Sequence, residues 1–176
     1  TAISSAGTAI SGSIAVTSDN NMSSSELAAM DILTTGTITA TISDGGLDAL
    51  ASLTNVNTNN ALTIVVADAA ATAVELNTLN DMTSLNVTAS AVEAIESSAV
   101  SAVKTLITNA TAAGIDTDYT VTLSDESIAA TDITTVDTHT SGLVTVNATT
   151  ITGDHADITT AISSAGTAIS GSIAVT

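Results

Sequence analysis

Three aspartates, Asp19, Asp68 and Asp125, each close a short run of alternating apolar residues. A carboxylate recurring in this way could line up a column of calcium ligands, since hard oxygen donors suit that cation. The same carboxylates could instead cap helices, accepting backbone N–H groups at the positive end of the helix dipole. Ser43-Asp44-Gly45-Gly46 comes near the Gly-Gly-x-Gly-x-Asp calcium nonapeptide once, and its paired glycines read more naturally as a turn. His139 and His155, the only two histidines, lie in a stretch that also holds Asp137, Asp154 and Asp157. Together they could bind a metal; an acidic, solvated turn accounts for them equally well. Catalytic patterns are missing. There is no phosphate loop with its lysine, no nucleophile elbow and no cysteine for a Cys-His pair. The expectation is a non-enzyme with no catalytic or cofactor-binding residues, calcium at Asp19, Asp68 and Asp125 being the one cofactor the side chains could take.

Charge narrows the partners. Eighteen acidic residues face one base, Lys104, giving a net charge of −17. No basic patch can form, so nucleic acid and anionic membrane surfaces are excluded as partners. No stretch is long and apolar enough for membrane insertion. Hydrophobic residues make up 44% of the chain, yet Tyr119 is the one aromatic, and there is no Pro or Cys. A core of Ala, Val, Ile and Leu alone is thin, which suits narrow repeated layers better than one wide centre.

Thr1 to Thr17 read TAISSAGTAISGSIAVT, and Thr160 to Thr176 repeat those residues without a change. The offset is 159 residues (160 − 1). Residues 1–159 are therefore read as one full tandem repeat and 160–176 as the start of the next. Shorter sub-repeats, roughly 14–61, 62–118 and 119–172, align on Asp19, Asp68 and Asp125. Each is followed by an acid (Glu26, Glu75, Asp132) and an aliphatic residue (Leu27, Leu76, Ile133).

Within each sub-repeat, alternating runs such as Ile38, Ala40, Ile42 or Val144, Val146 predict strands. Apolar residues three apart, as in Leu27 and Met30 or Ile133 and Val136, predict helices. The longest helix is expected from Ala91 to about Ala113, around Lys104. The fold class that follows is α/β: a repetitive β-α solenoid with one parallel sheet, about six strand-helix rungs per 159-residue repeat, and uncapped ends. The strand at Ile14 to Thr17 and its twin at Ile173 to Thr176 would lie on that one sheet. Six strands at ~4.8 Å would advance a fibre by ~29 Å per repeat. Alternating Thr37, Thr39, Thr41 and Thr120, Thr122 would give an exposed Thr face, suited to strands and to flat ligands such as ice. Sequons begin at Asn21, Asn86, Asn109 and Asn147, so glycans are possible partners.

The third sub-repeat carries VTLSD, ATDITTVD, TSGLVTV and TTITGDHADITTAI. In these it resembles the repeats of giant Thr/Ala/Ser-rich secreted and cell-surface proteins of bacteria, cyanobacteria especially. The resemblance implies an extracellular or cell-surface array of identical repeats, joined head to tail covalently or between chains, and no catalytic residues. The expected function is thus a structural repeat of a long surface filament, stacking end to end. An adhesin stalk or a calcium-stabilised binding repeat is the alternative.

Overall fold

The fold is that of a computed structural model, which describes residues 12–109, 114–164, 166–169 and 174–175. It is mixed α/β, with parallel sheets and short helices. Backbone contacts divide the chain into two compact units: Thr1–Ala67 with Thr78–Thr88, and Asp68–Asn77 with Ala89–Thr176.

In the first unit, β1 (Val16–Thr17), β2 (Ile38–Thr41) and β3 (Ala61–Thr63) form a parallel sheet in the order β1-β2-β3. Val16 opposes Ile38 and Thr39 opposes Ala61, so each strand pairs with the next strand along the chain. Helix α1 (Ser24–Asp31) lies between β1 and β2; α2 (Leu47–Leu50), continued by a 3-10 turn (Ala51–Asn55), lies between β2 and β3. Period two decides the faces of β2. Ile38 and Ala40 are buried while Thr39 and Thr41 are exposed. Leu27, Leu50, Leu53, Leu62 and Ile64 are fully buried here, and each such aliphatic contributes about 1.5–3 kcal/mol relative to exposure.

The second unit has a five-stranded parallel sheet and a three-stranded one. The larger is built from β4 (Ala70–Thr72), β5 (Ala94–Ser98), β6 (Thr120–Leu123), β8 (Val144–Val146) and β10 (Thr167–Ile169); the smaller from β7 (Ser127–Ala129), β9 (Thr150–Thr152) and β11 (Ala174–Val175). The helices are α3 (Ala73–Asp81), whose last residues belong to the first unit, then α4 (Val100–Thr108), α5 (Ala130–Asp137) and α6 (His155–Ser163). Leu76, Ile95, Leu106, Leu123, Ile133 and Ile151 are its fully buried large side chains.

Three expectations need correction. There are three parallel sheets among the described residues, not one. The cause is a second short strand directly before several helices, as at Ala70–Thr72, Ser127–Ala129 and Thr150–Thr152; Ile128 and Ile151 point inward from it. The helix expected from Ala91 is a strand over Ala94–Ser98 and a helix only over Val100–Thr108. Its helical spacing is overridden because β5 is paired on both edges, to β4 and to β6. The part of that helix placed on residues 110–113 lies outside the described residues. Finally, β1 and β11 fall in different sheets. Ile173 and Thr176 of the expected twin strand lie outside the described residues.

The larger sheet changes place along the chain. β4 and β5 stand immediately before α3 and α4, whereas β6 stands one strand earlier, with β7 between it and α5. The pairing of β5 with β6 carries the adjustment, a register shift between Ile95 and Ser98. Between α3 and α4 the chain lays down one strand, β5; between α4 and α5 it lays down two, β6 and β7.

Candidate functional site

Polar side chains recur at the joins between successive strand-helix segments. After α1, Thr34 turns inward and its hydroxyl donates to the Ile14 carbonyl at 2.7 Å, while accepting the Gly36 N–H at 3.0 Å. After α3, the Thr83 hydroxyl donates to the Leu62 carbonyl at 2.8 Å and accepts the N–H groups of Leu62 and Leu85. After α5, Thr140 reaches the Tyr119 carbonyl and accepts the Gly142 N–H at 3.0 Å. All three threonines are buried. Each therefore satisfies backbone groups that water cannot reach, and each ties a segment to the one before it. Asn60 has the same task before β3. It accepts the Ile38 N–H at 2.8 Å and donates to Asp31 at 2.9 Å.

Glycine follows two of these threonines for a steric reason. A Cβ on Gly36 would run into the Ile14 carbonyl, and one on Gly142 into the Tyr119 carbonyl.

A second kind of clasp works at helix starts. The first N–H of α1, on Ser24, donates to Asp44 at 2.6 Å; that of α3, on Ala73, to the Ser98 hydroxyl at 3.0 Å; that of α4, on Val100, to Asp125 at 2.6 Å. In every case the acceptor lies 20 to 25 residues further along. Local caps supplement them. Ser23 and Glu26 form a capping box on α1, Thr72 and Glu75 bond in the same way at α3, and Asp154 accepts the Asp157 N–H at α6. The Ser23 backbone N–H, then its hydroxyl, hold the Glu26 carboxyl below the usual range.

A third kind sits at helix ends. Asp31 and Asp137 are the last residues of α1 and α5, where the helix dipole disfavours a negative charge. Donors from the next segment offset that cost. Asp31 accepts from the Asn57 N–H at 3.1 Å and from Asn60; Asp137 accepts from Ser164 at 2.6 Å and Thr167 at 3.2 Å.

The aspartates singled out by spacing divide. Asp125 does cap a helix, but the one before it in sequence, α4. Asp19 is exposed and Asp68 half-buried, and the caps of α1 and α3 come from other residues. Asp44, in the Gly-Gly bend before α2, is the cap from the next segment that spacing overlooked. Among the described residues, no three His, Asp or Glu side chains gather where a metal ion could be held. His139 meets the Tyr119 hydroxyl at 2.9 Å, a phenol that burial pushes up to about 12; His155 is the first residue of α6, behind the capping Asp154. Lys104 on α4 pairs with Asp132 on α5 at 2.6 Å, both partly exposed, beside a shallow groove over Val100 and Thr105. Such an exposed pair contributes under about 1 kcal/mol. No helix is long and apolar enough to cross a membrane among the described residues. The Thr face is short: Thr17 neighbours Thr39, Thr41 neighbours Thr63 and Thr122 neighbours Thr145, but Ala61 and Ala168 end the rows.

Comparison with family models, curated proteins and solved structures finds no match.

Proposed function

We propose that the chain is one repeat of a tandem array, a β-α solenoid that forms a structural filament at the cell surface. The observation that carries this reading lies in the duplicated segment. Its first copy pairs forward: the Val16 N–H donates to the Thr37 carbonyl at 2.9 Å, with Val16 opposite Ile38. Its second copy pairs backward: the Ala174 N–H donates to the Thr149 carbonyl at 2.9 Å, with Val175 opposite Ile151. Ala174 is the twin of Ala15, the neighbour of Val16. In a parallel strand, neighbouring N–H groups point to opposite edges. One segment can therefore make both sets of bonds at once, using no group twice. Overlaying the copies gives a strand joined on one edge to β9 and on the other to β2. The change of strand place that this joint requires has a precedent between β5 and β6.

The three kinds of clasp support the same reading, because each joins one segment to the next, as a solenoid's nearest-neighbour energetics demand. The acidic surface favours solubility of a long assembly. Its placement outside the cell rests on the resemblance of the third sub-repeat and is tested by labelling intact cells with an antibody against the repeat. The solenoid itself is tested by solution scattering from chains of two, three and four copies. Length should rise by ~29 Å with each copy, from six rungs at strand spacing. A length that does not grow in proportion to copy number sinks the solenoid.

A further inference from the structure

We propose that two copies of this chain pair face to face across helices α4 and α5, each setting Lys104 against Asp132 of the other. The inference is independent of the array reading, since it concerns one surface of the second unit. Electrostatics select the place. With eighteen acids and one base, two copies repel wherever acids alone face each other. Any attraction between opposite side-chain charges of two copies must therefore use Lys104. Lys104 does not stand alone. Its Nζ lies 2.6 Å from Asp132 on the next helix, and both side chains remain partly exposed. A positive group beside a negative one is self-complementary. Turned through a twofold axis and laid on itself, the pair sets each charge against its opposite.

The surface around the pair suits close contact. The exposed threonines on and just after these helices fold their hydroxyls onto their own backbone. Thr105 donates to the Ser101 carbonyl at 3.0 Å, Thr108 to that of Lys104 at 3.0 Å, Thr135 to that of Thr131 at 2.8 Å and Thr138 to that of Thr135 at 3.0 Å. The methyl is the group left facing outward. The face thus offers apolar surface whose hydroxyls already have partners, so burying it strands few polar groups. A groove lined by Val100, Ser101 and Thr105 opens beside Lys104 and Asp132. Side-chain ridges of one helix seat in such grooves of another. With 9 and 8 residues, α4 and α5 are each under three turns, so the patch falls short of the ~800 Å² per partner of a stable dimer. Pairing is therefore weak and reversible.

Charge exchange tests the pairing. Lys104→Glu leaves two acids at the site, and Asp132→Lys leaves two bases. Neither variant matches itself, yet each matches the other. Sedimentation velocity reads the association at physiological salt, where a Debye length of ~8 Å screens the net charge more than it screens contacting pairs. The native chain should show a reversible, concentration-dependent dimer. Each variant alone should fall to monomer, and their equimolar mixture should associate about tenfold more strongly than either alone. Circular dichroism matching the native chain shows that both variants fold. Lys104→Gln, which drops the charge without reversing it, should weaken the dimer as well. A native chain that stays monomeric at millimolar concentration, a mixture no more associated than its components, or a dimer that Lys104→Gln leaves unchanged overturns the proposal.

Discussion

Thr34-Thr35-Gly36 and Thr83-Ser84-Leu85 stand at the same place after a helix and fold the same hydroxyl onto the preceding segment. They differ in their third residue. At the first, the Ile14 backbone presses so close that a Cβ has no room. At the second, Leu85 carries a full side chain that is 43% exposed. The hydroxyl thus defines the join, and glycine records how near two backbones come. Thr140-Ser141-Gly142 repeats the glycine version in the other unit, with Tyr119 in place of Ile14. The largest expected effect tests that distinction. Gly36→Ala and Gly142→Ala should each cost about 3 kcal/mol in urea unfolding, since backbone must move to admit the methyl. Leu85→Gly should cost no more than about 1 kcal/mol, chiefly through chain entropy. Equal losses at all three would break the comparison.

Removing the hydroxyl sharpens it from the other side. Thr34→Val, Thr83→Val and Thr140→Val keep the shape but strand buried backbone groups, at about 2 kcal/mol each. Thr83 should cost most, because it alone of the three also holds the N–H of the opposing strand residue, Leu62. Serine at each position should recover most of the loss. If valine is tolerated as well as serine, the clasps are incidental to stability.

What was legible in the residues was the local period. Ile38, Ala40 and Ile42 alternate inward as their spacing demands, and Leu27, Ile133 and Val136 are buried on their helices. The α/β character with parallel pairing follows from these patterns. The clasps were not legible, because their partners lie 20 or more residues away and their residue types are the commonest in the chain. A buried Thr34 looks in sequence like exposed Thr35. Asp44 was hidden by a Gly-Gly pair that reads as a turn. β5 was hidden because Val92, Ile95, Val103 and Leu106 continue a helical spacing across a strand whose identity comes from neighbours on both sides. The one usable signal was the Thr/Ser-x-Gly triplet at Thr34, Thr140 and Ser164, the first two a few residues past a helix-ending Asp and the third directly after α6.

The starts of the helices offer a smaller comparison. The first residue of α3 and of α5 is alanine, Ala73 and Ala130, both fully buried. In α1 the same place holds Ser24, whose hydroxyl is buried without a hydrogen-bond partner while its N–H is taken by Asp44. Ser24→Ala should therefore stabilise the protein by about 1 kcal/mol, from relief of an unsatisfied hydroxyl and better helix propensity. A loss of stability in thermal melts would mean the hydroxyl has a role that the helix comparison misses.

The smallest effect belongs to Glu26, two residues after Ser24 on the same helix start. Its carboxyl is held below the usual range first by the Ser23 backbone N–H at 2.8 Å and then by the Ser23 hydroxyl at 2.9 Å. A carboxyl whose folded pKa is depressed contributes stability above its unfolded pKa and loses it as pH falls through the folded pKa. Unfolded glutamate titrates near about 4.3, so the contribution is complete at neutral pH and disappears only on the acid side of that value. Because the group is fully exposed, solvent screens it, and the effect should register as fraying of α1 rather than global unfolding. An NMR titration should give Glu26 an acid-shifted midpoint that moves only part of the way back toward the ordinary carboxylate range in Ser23→Ala, which removes the hydroxyl and keeps the backbone N–H. An unshifted midpoint in the native chain, or one that Ser23→Ala leaves in place, would remove the capping box as the reason that α1 starts where it does.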